Sequence, residues 1–223
     1  MKTVKPSVIL GPLNDVEQKN APSCIHFSGH VGILQSGPRI AVVGSRKVSI
    51  DGAKRAKRLV IELVKNDCVI ISGLAMGVDT IAHRVSMQTG GKTVAVLGTP
   101  LDIATPVGNR DLQNEIMNDH LAISQFGIGT TISKRNFPAR NRTMALVCQA
   151  SVIVEAGDSS GTLSQGWEAI RLGRPLFIMK SLFDSSLKWP SMMREYGAIV
   201  LESSEQILDC VPTESYLETA DAF

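Results

Sequence analysis

Between residues 40 and 179 the chain alternates short apolar runs with longer stretches in which apolar residues return every three or four positions. The runs at 40–43, 68–71, 93–97, 121–124, 152–155 and 176–179 are dominated by Val, Ile, Leu and Ala. A continuous apolar run of that length reads as a strand covered on both faces. The periodic stretches at 50–65, 78–89, 110–117, 142–149 and 163–172 predict helices between them. Six strands separated by helices require right-handed crossovers, so the expected fold is α/β, a doubly wound and mostly parallel sheet. Further on, 189–196 predicts a short helix, 198–201 a strand and 205–211 a last helical turn or two.

The remaining segments are less regular. Residues 1–38 hold prolines, an isolated strand-like Cys24-Ile25-His26-Phe27 and a Ser36-Gly37-Pro38 turn, and are expected to form an N-terminal arm packing on the sheet edge. Residues 39–212 are expected to form the sheet domain, and the acidic 213–223 is expected to be a frayed tail.

Four of the strand-like runs end in a tight turn of glycines and small polar residues: Val43-Gly44-Ser45-Arg46, the segment from Ser72 to Gly77, Leu97-Gly98-Thr99-Pro100 and the segment from Glu155 to Thr162. In a parallel sheet such turns share the carboxyl edge. There, glycine lets backbone N–H groups approach an anion and helix N-termini add partial positive charge. That edge looks built for phosphate. Bulk charge does not point to a polyanion, since 23 Lys and Arg against 21 Asp and Glu leave a net +2, so any such site must come from local placement. Cys24, Cys68, Cys148 and Cys210 are isolated and lack metal-ligand spacing. Reduced thiols, no metal and no cofactor are expected. No signal peptide or spanning run is present in the sequence, which predicts a cytoplasmic protein.

Individual residues sharpen the phosphate reading. The Ser45 hydroxyl and the free N–H groups of the first turn suit one phosphate, and the Arg46 guanidinium offers a forked pair of donors. Asp79 and His83 stand one helical turn apart and are placed to pair with each other; His83 reads as a hydrogen-bonded structural histidine. The segment Lys134-Arg135-Asn136-Phe137-Pro138-Ala139-Arg140-Asn141-Arg142 crowds four cations and two asparagines into a loop opening a helix. Arg140 and Arg142 are two apart, so one is expected to face a ligand while the other pairs with a core carboxylate such as Glu155. The turn Ser159-Ser160-Gly161-Thr162 is a second anion cradle with hydroxyls at hand.

Taken together these segments resemble the DprA/Smf family of DNA-processing proteins, within the superfamily that also holds the Lonely Guy cytokinin-activating enzymes. The ordered matches run from about Cys24 to Pro175. They pass through Val42 to Arg46, Ser72 to His83, Gly90-Gly91-Lys92-Thr93, Leu97-Gly98, Leu101-Asp102, Pro106, Asn109, Phe137 to Arg142, Glu155-Ala156 and Ser160-Gly161. The resemblance implies an extended Rossmann-like fold over 39–212 and a homodimer that binds single-stranded DNA without catalysis and hands it to a RecA-type recombinase in transformation or recombination. It implies a pocket whose charge comes from Arg46, Arg110, Lys134, Arg140 and Arg142, lined by Gly44, Ser45, Gly73, Asn141, Ser160, Gly161 and Thr162. The sequence departs from the family at Pro100, where glycine is common, at Thr105, where an aromatic is common and a stacking platform is lost, and at Gln125, where glutamate is usual. The helical N-terminal domain and winged helix that family members often carry find no room in it.

Two other readings compete. A Lonely Guy-type hydrolase would cleave a nucleoside monophosphate with a glutamate after a Gly-Thr turn, but Gln165 stands there, and an amide is no general base. A sensor of a small nucleotide would use the same basic segment without turnover.

Overall fold

The computed structural model describes residues 1–211; the expectation for 213–223 lies outside them. Two short strands open the chain: β1 (Lys2–Val4) and β2 (Ile25–Gly29), with helices α1 (Pro6–Leu10) and α2 (Asp15–Asn20) between them. The alternating region follows as β3 (Arg39–Gly44), α3 (Ile50–Lys65), β4 (Val69–Ser72), α4 (Val78–Gln88), β5 (Thr93–Leu97), α5 (Arg110–Asp119) and β6 (Leu121–Ser124). It continues as α6 (Asn136–Val147), β7 (Ala150–Glu155), α7 (Thr162–Arg171), β8 (Leu176–Met179), α8 (Lys180–Phe183), α9 (Trp189–Glu195), β9 (Ile199–Leu201) and α10 (Glu205–Asp209).

Among the described residues these strands form one sheet in the order β1-β2-β6-β5-β4-β3-β7-β8-β9. The seven strands from β6 to β9 in that order are mutually parallel, and β1 and β2 add antiparallel pairings at one edge. The chain winds outward from β3 to β6, then returns to β3's other side and winds away through β7, β8 and β9. The winding direction therefore reverses between β3 and β7, and that is where a doubly wound sheet leaves a crevice.

Alternation along β3 shows why its sequence reads as an unbroken apolar run. Ile40 and Val42 pack into one face with Ala56, Leu59, Val60 and Leu63 of α3 and Val78, Ala82 and Val85 of α4. Ala41 and Val43 pack into the other with Met144 and Val147 of α6 and Ala169 of α7. Helix α3 begins where its cap is strongest: the Ser49 hydroxyl accepts from Gly52 N–H at 2.9 Å.

Helix α6 starts at Asn136, six residues before the expected start at Arg142. Pro138 looks like a breaker in the sequence, yet a first helical turn leaves its N–H groups unpaired anyway, so proline is tolerated there. From Asn136 on, the basic segment is accordingly helical, with Lys134 and Arg135 in the turn before it. No helix among the described residues is long and apolar enough to cross a membrane, and all four cysteines are free thiols.

Candidate nucleic-acid interface

A cleft of about 550 Å³ opens at the carboxyl edge, at the crevice between β3 and β7. Its walls are the turn after β3 (Gly44 to Lys47), the turn after β7 (Gly157 to Thr162) with the first residues of α7, and the start of α6. A smaller niche of about 100 Å³ adjoins it, bounded by Arg46, Gly73, Met76, Pro106 and Phe137.

The turn after β3 is held from several sides. Glu155, the last residue of β7, accepts from the Ser49 N–H at 2.8 Å and the Ser49 hydroxyl at 2.5 Å, and Arg55 stands 3.4 Å from the same carboxylate. The Thr162 hydroxyl donates to the Gly44 carbonyl at 3.0 Å. From the β4 side, Val78 N–H donates to the Ser45 carbonyl at 3.2 Å. That approach requires Gly77, whose φ is +76° and whose added Cβ would stand 2.2 Å from the Ser45 oxygen.

Arg140 is the structural centre of the cleft floor. It is only 6% exposed, and its Nη1 donates to the carbonyls of Gly73 at 2.5 Å and Val96 at 2.7 Å, while Nε donates to Asn141 Oδ1 at 3.0 Å. One guanidinium thus bonds the ends of two neighbouring strands to α6. Burial disfavours its charge, and the buried Asp79 carboxylate opposes that effect. Burial likewise raises the Asp79 pKa, against the charge of Arg140 and the N–H groups of Ala75 and Gly73. Those N–H groups lie at 3.3 and 3.2 Å from Oδ2. The guanidinium packs closely against Gly73, where a Cβ would be 2.0 Å from Nη1. Gly73→Ala is therefore expected to lower stability by about 1–3 kcal/mol, read as a fall in the midpoint of a urea melt.

The pairing expected of the basic segment is corrected by this geometry. Neither Arg140 nor Arg142 pairs with Glu155, which is committed to Ser49 and Arg55; Arg142 pairs with Glu168 of α7 at 3.5 Å. Asp79 and His83 do not pair either. His83 is fully buried and its Nδ1 meets Thr93 Oγ1 at 2.7 Å.

Of the residues expected in the site, Gly44, Ser45, Arg46, Arg140, Asn141, Ser160, Gly161 and Thr162 line the cleft, and Gly73 lines the niche. Arg110, Lys134 and Arg142 line neither, though all three are exposed. Lys47, Asp79, Phe137 and Gln165 also line the cleft. Phe137 was legible only as part of a basic run. With the helix begun at Asn136, its ring falls under Arg46, 5.9 Å from the guanidinium carbon, within cation–π range. It supplies an aromatic surface on this edge although Thr105 does not.

Comparison with known proteins places this geometry. The family description DNA recombination-mediator protein A matches residues 12–212, nearly the whole chain. The chain belongs to that family. Within the DNA recombination-mediator protein A family, the DNA processing protein DprA of Streptococcus pneumoniae is 40% identical over 190 residues, which cover 85% of this chain and 67% of that protein. The chain spans 65% of the DprA of Bacillus subtilis and about half the length of several other curated relatives. The X-ray structure of the S. pneumoniae DprA superposes with a TM-score of 0.81 at 35% identity, covering 95% of this chain and 74% of that one. The DNA processing protein A of Helicobacter pylori, described for its single-stranded DNA binding mode, shares the fold with a TM-score of 0.78 at 24% identity, over 94% of this chain and 95% of that one.

Proposed function

We propose that the carboxyl-edge cleft binds single-stranded DNA along its sugar-phosphate backbone, without a chemical step, in DNA processing during transformation or recombination. The observation that carries this reading is the exposed Arg46 and Lys47 pair on the cleft rim, which forms no ion pair with a carboxylate among the described residues. Its charge is free for an anionic partner, and the adjoining Phe137 ring suits a base, since stacking accepts any base. The hydroxyls of Ser45 and Ser160 and the turn of Gly161 and Thr162 add neutral contacts of the kind that hold phosphates without reading sequence. Arg110, Lys134 and Arg142 extend the basic surface beyond the cleft in this reading.

The cleft offers little for catalysis. Asp79 is occupied by two backbone N–H groups and faces Arg140, and Gln165 is an amide. The family resemblance extends the proposal to a cytoplasmic homodimer that passes the strand to a RecA-type recombinase.

Fluorescence anisotropy with a labelled oligothymidylate, titrated across salt concentrations beside duplex DNA and a mononucleotide competitor, tests the reading. Affinity should rise with strand length and fall with a log–log salt slope of about −0.7 per phosphate contacted. Arg46→Ala should weaken binding about tenfold or more, the worth of a charge-assisted hydrogen bond, with a thermal melt like the parent's. Unchanged affinity in that variant would sink the assignment, and full displacement by the mononucleotide would make the ligand a small nucleotide.

A further inference from the structure

We propose that Gln165 determines specificity in the cleft, its Oε1 accepting a hydrogen bond from an N–H on the Watson–Crick edge of an unpaired nucleobase. The inference deepens the reading of the cleft as a single-strand site and rests on it.

Gln165 lies in the first turns of α7, lines the cleft, and is 1% exposed. Among the described residues, eight buried side-chain polar atoms have no partner, and Gln165 Oε1 is the one of them that belongs to a residue lining the cleft. Three other polar side chains of the wall have partners inside the protein. Thr162 donates to Gly44, Asn141 bridges Arg140 and the Gly161 carbonyl, and Asp79 accepts from Gly73 and Ala75. A buried carbonyl oxygen left without a donor is costly, and native structures keep few of them.

The orientation of the amide follows from the chain of polar groups behind it. The Cys148 thiol donates to the Ala145 carbonyl at 3.6 Å, and Ser151 Oγ lies 3.4 Å from the Cys148 sulfur. With its one proton directed at that sulfur, the Ser151 hydroxyl accepts from Gln165 Nε2 at 3.2 Å. One N–H of the amide is thereby engaged inside the protein, and the carbonyl oxygen, on a residue that lines the cleft, is left without a donor.

A carbonyl oxygen selects a donor. Within a DNA strand the phosphates and the internal sugars carry only acceptors, so the donor must be a base N–H. All four bases carry one on the pairing edge, at adenine N6, cytosine N4, guanine N1 or thymine N3, so an acceptor here prefers no sequence. It does prefer bases that are not paired, because pairing in a duplex engages those same protons. The cations on the rim attract any nucleic acid, whereas Gln165 in the floor favours strands with free pairing edges.

The test compares oligothymidylate with an oligomer of equal length carrying difluorotoluene in place of thymine, a base of the same shape with no N–H. Anisotropy is read for the parent, Gln165→Met and Gln165→Glu. The parent should prefer the thymine strand about three- to tenfold, the worth of one net hydrogen bond. Gln165→Met, of similar length but without an acceptor, should bind both strands alike at the parent's weaker level. Gln165→Glu keeps an acceptor and should keep the preference at lower overall affinity. A parent that binds both strands equally would overturn the role of Gln165 while leaving the single-strand site intact, and that comparison stands even if a variant fails to fold. Persistence of the preference in a folded Gln165→Met would overturn it as well. A parent that binds neither strand would remove both readings.

Discussion

Arg140→Met is expected to cost about 3–5 kcal/mol of folding stability, the usual result of taking away a buried cation that bonds two carbonyls and offsets a nearby buried carboxylate. Three losses combine in that figure. The carbonyls of Gly73 and Val96 lose their shared donor, Asn141 loses the bond to its Oδ1, and Asp79 is left buried without its cation. Equilibrium urea unfolding reads the total. A double-mutant cycle with Asp79→Asn separates the ionic part, because the asparagine oxygen can still accept from Gly73 and Ala75. The double variant should recover about 0.5–3 kcal/mol relative to the sum of the single losses. Losses that simply add would show that the two side chains are not coupled. Arg46→Ala, by contrast, is expected to leave the melt unchanged and act on binding alone, so the two arginines of one cleft should separate cleanly into a structural and a ligand-facing residue.

Acidification is expected to destabilise the protein through His83. Burial holds this imidazole's pKa down to about 3, from an ordinary 6.5, with smaller contributions from the positive charges of His120 and Arg140. The unfolded chain takes up the proton near pH 6.5 and the folded protein only near pH 3, so between those limits the unfolded state binds more protons. Stability from this group is therefore complete above pH 6.5 and declines as pH falls below it, by about 1.4 kcal/mol per pH unit, or roughly 2 kcal/mol at pH 5. His120, whose pKa is also lowered, chiefly by burial, acts in the same direction. His83→Gln removes the titrating group and should flatten the slope of stability against pH between 5 and 6.5. A variant that keeps the parent's slope would show that the proton is taken up elsewhere.

The architecture was largely legible in the apolar pattern because a parallel sheet covered on both faces leaves unbroken runs of Val, Ile and Leu. The runs at 93–97, 121–124 and 176–179 coincide with β5, β6 and β8, and the periodic stretch at 50–65 with α3. The start of α6 was not legible, and the site suffered for it. Once the helix begins at Asn136, Arg140, Met144 and Val147 fall at intervals of four and three along one face, the face turned to the sheet. Arg142 lies off that stripe and reaches Glu168 instead. With the segment read as a loop and the helix begun only at Arg142, the two arginines had no such frame and could not be told apart. The fate of Glu155 was hidden for a different reason. Its partners, Ser49 and Arg55, are about a hundred residues away and meet it only because β7 docks beside β3.

The joint at Arg140 divides the cleft into a part that can be rewritten and a part that cannot. Arg46, Lys47, Ser159 and Gly161 stand exposed on the turns and bond no strand end through a side chain of their own, so a library that varies them would alter what the cleft holds while leaving the sheet as it is. Gly73, Asp79 and Arg140 line the cleft or its niche, but Arg140 also binds the ends of β4 and β5 to α6 and Asp79 holds the turn after β4 to α4. Engineering this edge toward another anion therefore means holding that triad constant and drawing all diversity from the rim.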